Sequence, residues 1–192
     1  MGKIIAIFGP HGVGKTSLQN EALRSGDFSI SEGFEFPNEI DECADWEKFW
    51  HYQMRYWKNV KENILKIRQG EKDCILSRSF EEQIYYLSCH PLSKGHEDEI
   101  RQFAIANRTY QSDLLIYLDA DFETLKSRIA NDESRDQKET RWWYRDRYYL
   151  YNKINKAHEG IHIINTASMT PKDVLLIIKS IIKDEKYAEF RN

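Results

Sequence analysis

Cysteines, long apolar runs and a strong net charge are all scarce in this sequence, and each scarcity excludes a class of protein. Its 192 residues include three cysteines, Cys43, Cys74 and Cys89. Their odd number, wide spacing and lack of a C-x-x-C pair argue against a disulfide framework, so we expect reduced thiols in a cytosolic protein. No apolar run is long enough for a signal peptide or a membrane span. The formal net charge of -3 gives no reason to expect a nucleic-acid or membrane partner.

Short apolar segments alternate with helical patterns along the chain. Buried strands are predicted where the segments are short, apolar and bounded by turn residues, at 3–8, 28–31, 73–77, 114–118 and 161–164. Helical spacing predicts helices at 14–24, 45–70, 79–88, 97–110, 121–130, 141–157 and 171–183. This alternation predicts one α/β domain over residues 1–192, with a parallel sheet and helices on both of its faces.

The most specific motif is GPHGVGKTS, residues 9–17, which we term the phosphate loop. It matches G-x-x-x-x-G-K-[ST] between the first predicted strand and the first predicted helix. Glycines permit a tight turn that aims successive N–H groups inward, and the helix N-terminus adds partial positive charge. Lys15 would reach the β- and γ-phosphates, and Thr16 would bind Mg²⁺. The predicted nucleotide-binding residues are Gly9, His11, Gly12, Val13, Gly14, Lys15, Thr16 and Ser17.

Other motifs narrow the activity that this loop serves. The N-K-x-D and D-x-x-G motifs of GTPase switches are absent, and the apolar segment LLIYLD is followed by Ala120 where motor-type ATPases usually have an acidic pair. After LLIYLD comes a helical pattern and then a polar stretch, residues 131–140, that contains arginine and no apolar residue. Such a flap is typical of small-molecule kinases, because it closes over ATP and excludes water, which is a competing acceptor.

Four segments in chain order resemble the deoxynucleoside kinase and thymidylate kinase group of P-loop proteins. They are GPHGVGKTS, SISEGFEF from Ser29, SRSFEEQIYYL from Ser77 and IYLDADFETLKSRI from Ile116. The resemblance implies a three-layer P-loop kinase fold with a five-stranded parallel sheet and a lid at about residues 131–142. It also implies ATP and Mg²⁺ as cofactors, a nucleoside-like acceptor and a homodimer.

The resemblance further implies catalytic roles outside the phosphate loop. Glu32, with Glu35 as the alternative, would take the proton from the acceptor hydroxyl, and Arg78 would hold the acceptor and that carboxylate. The lid arginines would stabilise the transferring phosphoryl group, and they are Arg128 and Arg135, with Arg141 as a further candidate. Carboxylates exposed in a loop are the plain alternative for Glu32 and Glu35.

The predicted helix at 45–70 supplies the candidates for acceptor binding. Gln53 is placed like the glutamine that reads the base in this family, although it lies on the apolar stripe of the helix and a satisfied core amide is the alternative. The indoles of Trp46 and Trp50 would stack on a flat acceptor or belong to the core.

Three departures from the family pattern are visible. Ser77 stands where the family usually has an acid near Mg²⁺, Asp132 and Glu133 occupy a lid that tends to be basic, and Gly33 rather than proline follows Glu32. Three other functions therefore stay open. They are a thymidylate-type monophosphate kinase with Arg78 and Arg55 as phosphate clamp, a nucleotide-binding module, and a kinase of a non-nucleoside metabolite.

The segment HEGIH, residues 158–162, formally matches the zinc-protease motif H-E-x-x-H. That chemistry needs both histidines on one face of a continuous helix. Because Gly160 interrupts the segment and IHII predicts a strand, we expect a helix to end at Gly160 and no zinc site to form.

Overall fold

The sheet has five parallel strands, as the sequence predicts. The computed structural model describes residues 2–10, 12–30, 43–77, 79–131 and 160–189. The strands are β1 (Ile4–Phe8), β2 (Ser29–Ile30), β3 (Cys74–Ser77), β4 (Leu114–Asp119) and β5 (Ile161–Asn165). Their order is β2-β3-β1-β4-β5, and each neighbouring pair is parallel. The central strand, β1, therefore delivers the phosphate loop to the middle of the sheet edge.

Six helices connect or follow these strands in the described part of the chain. They are α1 (Lys15–Ser25), α2 (Trp46–Gln69), α3 (Phe80–Cys89), α4 (Glu97–Ala106), α5 (Phe122–Ala130) and α6 (Pro171–Glu189). Each overlaps a segment predicted to be helical. Helices α1 and α3 end one residue beyond the predicted ends, at Ser25 and Cys89, and α6 ends six residues beyond, at Glu189. The predicted lid and the predicted helix at 141–157 lie outside the described residues.

Capping side chains mark where several helices begin. The side chains of Asp45, Ser79 and Asp121 accept hydrogen bonds from the backbone N–H groups of the first turns of α2, α3 and α5. These bonds satisfy amide groups that have no partner inside a helix. The sequence contains these caps at the predicted helix starts, which explains why the boundaries agree closely.

The helix predicted at 97–110 is too long, and the structure corrects it. Helix α4 ends at Ala106, and a separate 3-10 turn covers Arg108–Tyr110. The side-chain amide of Asn107 donates to the Phe103 carbonyl oxygen at 2.9 Å, and its oxygen accepts from Trp57 Nε1 at 3.1 Å. The Asn107 side chain thus occupies a carbonyl of the last turn, which favours the helix end at this residue.

Alternating residues of the strands face two separate hydrophobic cores. One core, the aliphatic core, joins β1 and β4 to α1, α5 and α6, and it contains Ile5, Ile7, Leu18, Leu125 and Ile178 among others. The other, the aromatic core, joins β1 and β3 to α2, α3 and α4, and it contains Ile4, Phe49, Trp57, Phe80 and Phe103 among others. Helices on both faces of a buried sheet give the three layers that the sequence predicts. Among the residues described, no helix combines the length and apolarity that a membrane span requires.

Candidate functional site

The carboxyl ends of β1, β3 and β4 lie side by side at one edge of the sheet. Ile7 of β1 pairs with Ser77 on one side and with Ile116 on the other. The phosphate loop leaves β1 at this edge, so the residues that follow β3 and β4 flank it. Ligands of open parallel sheets bind at this edge, so the candidate site lies there.

Glycines give the phosphate loop its shape. Gly9, Gly12 and Gly14 have φ angles of 148°, 78° and 100°. A Cβ atom on Gly9 would lie 2.3 Å from the Leu118 carbonyl oxygen, and one on Gly12 would lie 2.8 Å from the Ile129 side chain. Backbone conformation and close packing against β4 and α5 therefore require glycine at both positions.

The start of α1 is built to attract an anion. Gly14 is the N-cap residue, and within the described chain no side chain caps the helix and no acidic residue lies in its first turn. Lys15 Nζ donates to the carbonyl oxygens of Gly9 at 2.6 Å and Pro10 at 3.2 Å, which keeps its positive charge at the loop. Amide groups, the helix dipole and this ammonium group together suit a polyphosphate.

Side chains near the loop fit a Mg²⁺ ion that is held mainly by phosphate and water oxygens. Thr16 is exposed in the first turn of α1, where its hydroxyl is accessible to a ligand. The Ser77 hydroxyl instead donates to Gln19 Oε1 at 3.1 Å. No cluster of three or more metal-binding side chains occurs in the parts of the chain that are described. Mg²⁺ commonly keeps several waters and few protein ligands, so Thr16 with phosphate oxygens is a sufficient set.

Arg128 is tied to the segment that follows β5. Its Nη2 donates to the carbonyl oxygens of Thr166 at 2.6 Å and Ala167 at 3.3 Å, and its Nη1 donates to the Thr166 hydroxyl at 3.1 Å. The sequence predicts a lid arginine here, and the structure places its guanidinium group beside the end of the sheet. A role at the transferring phosphoryl group stays a prediction.

Thr166 is a residue of this site that the sequence analysis missed. Thr166 is 3% exposed. Its hydroxyl lies within hydrogen-bonding distance of two carbonyl oxygens, that of Val13 at 3.2 Å and that of Asp119 at 3.1 Å. Thr166 lies two residues after the predicted strand 161–164, whereas Arg78 directly follows its predicted strand, so position alone did not single out Thr166. Thr166 therefore links the phosphate loop to the ends of β4 and β5.

Asp119 ends β4 beside the phosphate loop. Burial raises the pKa of its carboxyl, and the nearby Asp121 charge raises it further, against the bond that it accepts from the Ala120 N–H. Asp121 itself has a lowered pKa, because its carboxylate accepts from the hydroxyl and the N–H of Thr124. The pKa values of these two carboxyls, in one short segment, are therefore shifted in opposite directions.

Gln53 of α2 lies against a second buried amide, that of Gln83, on the face of the sheet that carries the aromatic core. Gln53 and Gln83 are 0% and 4% exposed. Gln83 Nε2 donates to the backbone oxygen of Gln53 at 3.1 Å and to its Oε1 at 3.4 Å. Because a carbonyl oxygen accepts and never donates, these contacts fix both amide orientations. Among the described residues, they leave Gln53 Nε2 and Gln83 Oε1 without hydrogen-bond partners.

Trp46 and Trp50 are brought together at the side of α2 that faces α4. Their rings stack at 5.2 Å, Trp46 stacks on His96 at 4.3 Å, and Trp50 meets Phe103 edge-on at 5.7 Å. Trp46 Nε1 donates to Glu99 Oε2 at 2.7 Å. These contacts account for both indoles as packing residues, and acceptor stacking stays a prediction.

Several predicted site residues lie outside the described part of the chain. They are His11, Glu32, Glu35, Arg78, Arg135 and Arg141. Of the HEGIH segment, Gly160 has a φ of 90°, and His162 lies in β5, where it pairs with Ile116. A histidine in a strand does not have the helical placement that the zinc-protease motif requires.

Comparison with known proteins agrees with this architecture. No protein-family model and no curated protein sequence matches the chain. The chain is similar to a solved structure of deoxyadenosine kinase from M. mycoides with bound dATP, with a TM-score of 0.69 and 16% identity. The similarity covers 93% of this chain and 98% of that one.

Two further solved structures of that M. mycoides enzyme are similar to the chain. One has the products dCMP and a flexible dCDP bound, with a TM-score of 0.68, 18% identity and coverage of 94% of this chain and 99% of that one. The other has bound dCTP, with a TM-score of 0.68, 16% identity and the same coverage of 94% and 99%. The chain therefore has the P-loop deoxynucleoside kinase fold, as its sequence motifs predict.

Proposed function

We propose that this single-domain protein transfers the γ-phosphoryl group of ATP to a hydroxyl of a nucleoside or deoxynucleoside. The observation that carries the proposal is the phosphate loop, with its left-handed glycines and uncapped helix start beside Lys15. The fold shared with a deoxyadenosine kinase supports the choice of a nucleoside-like acceptor. Fold alone does not specify an acceptor, so the remaining support comes from individual side chains.

The donor nucleotide would bind at the phosphate loop. Loop amides and Lys15 would hold the β- and γ-phosphates, and Thr16 would contribute a hydroxyl to Mg²⁺. When bound, Mg²⁺ neutralises phosphate charge as it is redistributed during transfer. Lys15 already lies over the loop carbonyls, so it needs only a change of partner to reach a phosphate.

The acceptor base would complete the buried amide pair. With respect to the described residues, Gln53 presents an unpaired N–H donor and Gln83 an unpaired carbonyl acceptor. A buried polar atom without a partner costs roughly 1–3 kcal/mol, and a ligand that supplies both partners recovers that cost. The edge of a nucleobase offers neighbouring acceptor and donor groups, such as N1 and N6 of adenine, which match this pair.

The remaining roles are proposed from the sequence. Glu32 would take the proton from the acceptor hydroxyl, and Arg78 would hold that carboxylate and the acceptor. Arg128 and Arg135 would stabilise charge on the phosphoryl group during in-line transfer. A lid at about residues 131–142 would exclude water while transfer occurs.

The test is acceptor-dependent ADP production from Mg·ATP across nucleosides, deoxynucleosides and their monophosphates, with Lys15→Ala as the blank. We expect a nucleoside or deoxynucleoside to stimulate ADP release by the wild-type chain and not by the variant. Stimulation by monophosphates alone would favour a thymidylate-type kinase. ATP binding without any stimulation would refute the proposal in favour of a metabolite kinase or a binding module.

A second measurement addresses the proposed base. Glu32→Gln should lower turnover by ~10²–10⁴-fold and leave ATP affinity unchanged, because general-base catalysis contributes on that scale. Glu35→Gln is the matched control. Near-normal turnover in Glu32→Gln, with a large loss in Glu35→Gln, would transfer the role to Glu35.

No observation favours the monophosphate kinase over the nucleoside kinase. Arg55, one of its two candidate phosphate ligands, is exposed on α2. It lies two positions after the buried Gln53, and residues with that spacing do not share a helix face. The proposed base site and Arg55 are therefore on different sides of α2.

A further inference from the structure

Thr166 connects the phosphate loop, β4 and α5 through one hydroxyl group. Arg128 of α5 donates to its oxygen at 3.1 Å, and the hydroxyl lies 3.1 Å from the Asp119 carbonyl oxygen and 3.2 Å from that of Val13. The backbone N–H of Thr166 also donates to the Asp119 oxygen at 2.7 Å. The side chain is 3% exposed, so water does not readily replace these bonds.

The charged neighbour of Thr166 sets the direction of its single proton. Because Arg128 occupies a lone pair of the hydroxyl oxygen, the proton of that hydroxyl is left to point at the two carbonyl groups. Hydrogen bonds from charged groups are stronger than neutral ones, and bonds in a chain polarise one another. The guanidinium group of Arg128 thereby strengthens the contact between Thr166 and the phosphate loop.

The Val13 contact bears on phosphate binding through the geometry of one peptide group. In a planar trans peptide, the C=O of Val13 and the N–H of Gly14 point in opposite directions. No cis peptide occurs among the described residues. A carbonyl held towards Thr166 therefore points the Gly14 N–H away from Thr166, at the start of α1. Gly14 has a φ of 100° and open space where a Cβ would lie, so packing restrains this peptide on the Val13 side, where Val13 is buried in the aliphatic core.

We propose that Thr166 is a positioning residue for the donor phosphates, acting through the Val13–Gly14 peptide. The inference rests on the proposed function, since it assigns the phosphate loop to the donor nucleotide. Removal of the hydroxyl leaves the Val13 carbonyl without its side-chain donor. The peptide then gains freedom to rotate, and part of the preorganisation of the loop is lost.

The experiment compares Thr166→Val, which keeps the shape, with Thr166→Ser, which keeps the hydroxyl. Dissociation constants for Mg·ATP and for inorganic tripolyphosphate are measured by calorimetry in the full chain, at a temperature where every variant is folded. Ser93→Ala is the matched control, because Ser93 is also 3% exposed and donates to a backbone oxygen, that of Leu87, away from the loop.

We expect Thr166→Val to weaken binding of both ligands roughly twofold to tenfold, the range that one net hydrogen bond gives. Thr166→Ser should restore most of the affinity, and Ser93→Ala should lower the melting temperature without changing either constant. Unchanged affinity in Thr166→Val would overturn the inference, as would a failure of serine to rescue or an effect confined to ATP.

This design separates the inference from the proposed function. Binding is measured without an acceptor, so a wild-type chain that binds Mg·ATP and phosphorylates nothing refutes the kinase proposal and leaves the Thr166 result standing. A kinase in which Thr166→Val binds normally refutes the inference alone. A wild-type chain that binds neither ligand overturns both.

Discussion

The two faces of the sheet differ in composition and in how their polar groups are satisfied. Among the described residues, the buried members of the aliphatic core include one aromatic residue, Phe28. The aromatic core has five such residues, Phe49, Tyr56, Trp57, Phe80 and Phe103. A nucleoside is flat and partly apolar, so under the proposed function the aromatic face would be the better environment for it, and backbone groups at the loop would meet the phosphates.

The polar groups of the two faces differ in a second way. Beside the aliphatic core, Lys15, Arg128 and Thr166 bond to backbone oxygens or to one another. Within the aromatic face, one donor of Gln53 and one acceptor of Gln83 have no partner in the part of the chain that the structure describes. The proposed donor side, formed by the phosphate loop with Arg128 and Thr166, would therefore be organised before a ligand binds. The proposed acceptor side, formed by Gln53 and Gln83, would need a ligand to satisfy its buried atoms.

The largest expected effect is on the stabilisation of the folded chain by Mg·ATP, which should depend on Lys15 and not on Gln53 or Gln83. Mg·ATP at 100 times its dissociation constant should stabilise the wild-type chain by about 2.7 kcal/mol. Lys15→Ala should lose most of this stabilisation, because the cation that pairs with the phosphates is gone. Thermal unfolding with and without Mg·ATP measures the effect, and the double variant Gln53→Leu/Gln83→Leu should keep it. If Mg·ATP raised the melting temperature of Lys15→Ala as much as that of the wild type, the assignment of the phosphate loop to the donor nucleotide would be wrong.

The second effect is on the acceptor side. The double variant Gln53→Leu/Gln83→Leu should raise the acceptor KM about tenfold or more, since a factor of ten corresponds to about 1.4 kcal/mol of lost hydrogen bonding. Its free energy of unfolding should be equal to or greater than that of the wild type, because two uncompensated buried atoms are removed. Steady-state kinetics and urea unfolding measure both quantities.

Gln83→Leu alone is the control for this pair. It leaves the Gln53 amide buried with its remaining contact removed, so it should cost about 1–3 kcal/mol of stability. A double variant that is less stable than this single variant and retains a normal acceptor KM would show that the amides serve the core and not the acceptor.

The smallest effect concerns the pH dependence of stability at the end of β4. The folded-state pKa of Asp119 is raised by burial, so its ionised form is penalised in the folded chain at neutral pH. Asp119→Asn should therefore raise the melting temperature at pH 7. The gain in the free energy of unfolding should be about 0.5 kcal/mol or less. The gain should vanish as the pH falls through the raised pKa towards the ordinary value, where both states are protonated.

Asp121→Asn provides the opposite sign two residues away. The pKa of Asp121 is lowered by its bonds to Thr124, so the carboxylate stabilises the fold above its ordinary pKa and that stability is lost as the pH falls through the lowered value. The Asn variant should melt earlier than the wild type at neutral pH and equally at low pH. Equal pH profiles for the two variants would contradict both assignments.

Some site residues could be found from the sequence because a local pattern carries them. The phosphate loop combines fixed glycine spacing with a strand before it and a helix after it, and each of these signals is local. Gln53 was placed by resemblance, and its burial on the apolar stripe of α2 agrees with the periodicity. Gln83 and Thr166 have no such motif, so their relation to Gln53 and Val13 was not predictable.

Helix α4 shows the same limit within the fold. Apolar periodicity extends past Ala106, and nothing in the periodicity indicates that Asn107 bonds both to Phe103 and to Trp57. Trp57 lies on α2, so the helix end depends on a partner 50 residues away. Local propensity therefore gave the element, and a tertiary contact gave its boundary.

The sequence by itself determined the strand and helix order, the parallel sheet and the phosphate loop, because these depend on periodicity, caps and glycine conformations within a few residues. Only the tertiary structure decided which polar groups meet. It placed Thr166 against Val13, although they are 153 positions apart, and Gln83 against Gln53, which are 30 positions apart. The physical reason is that a hydrogen bond depends on distance and direction in space, and chain folding alone brings such distant donors and acceptors within about 3 Å.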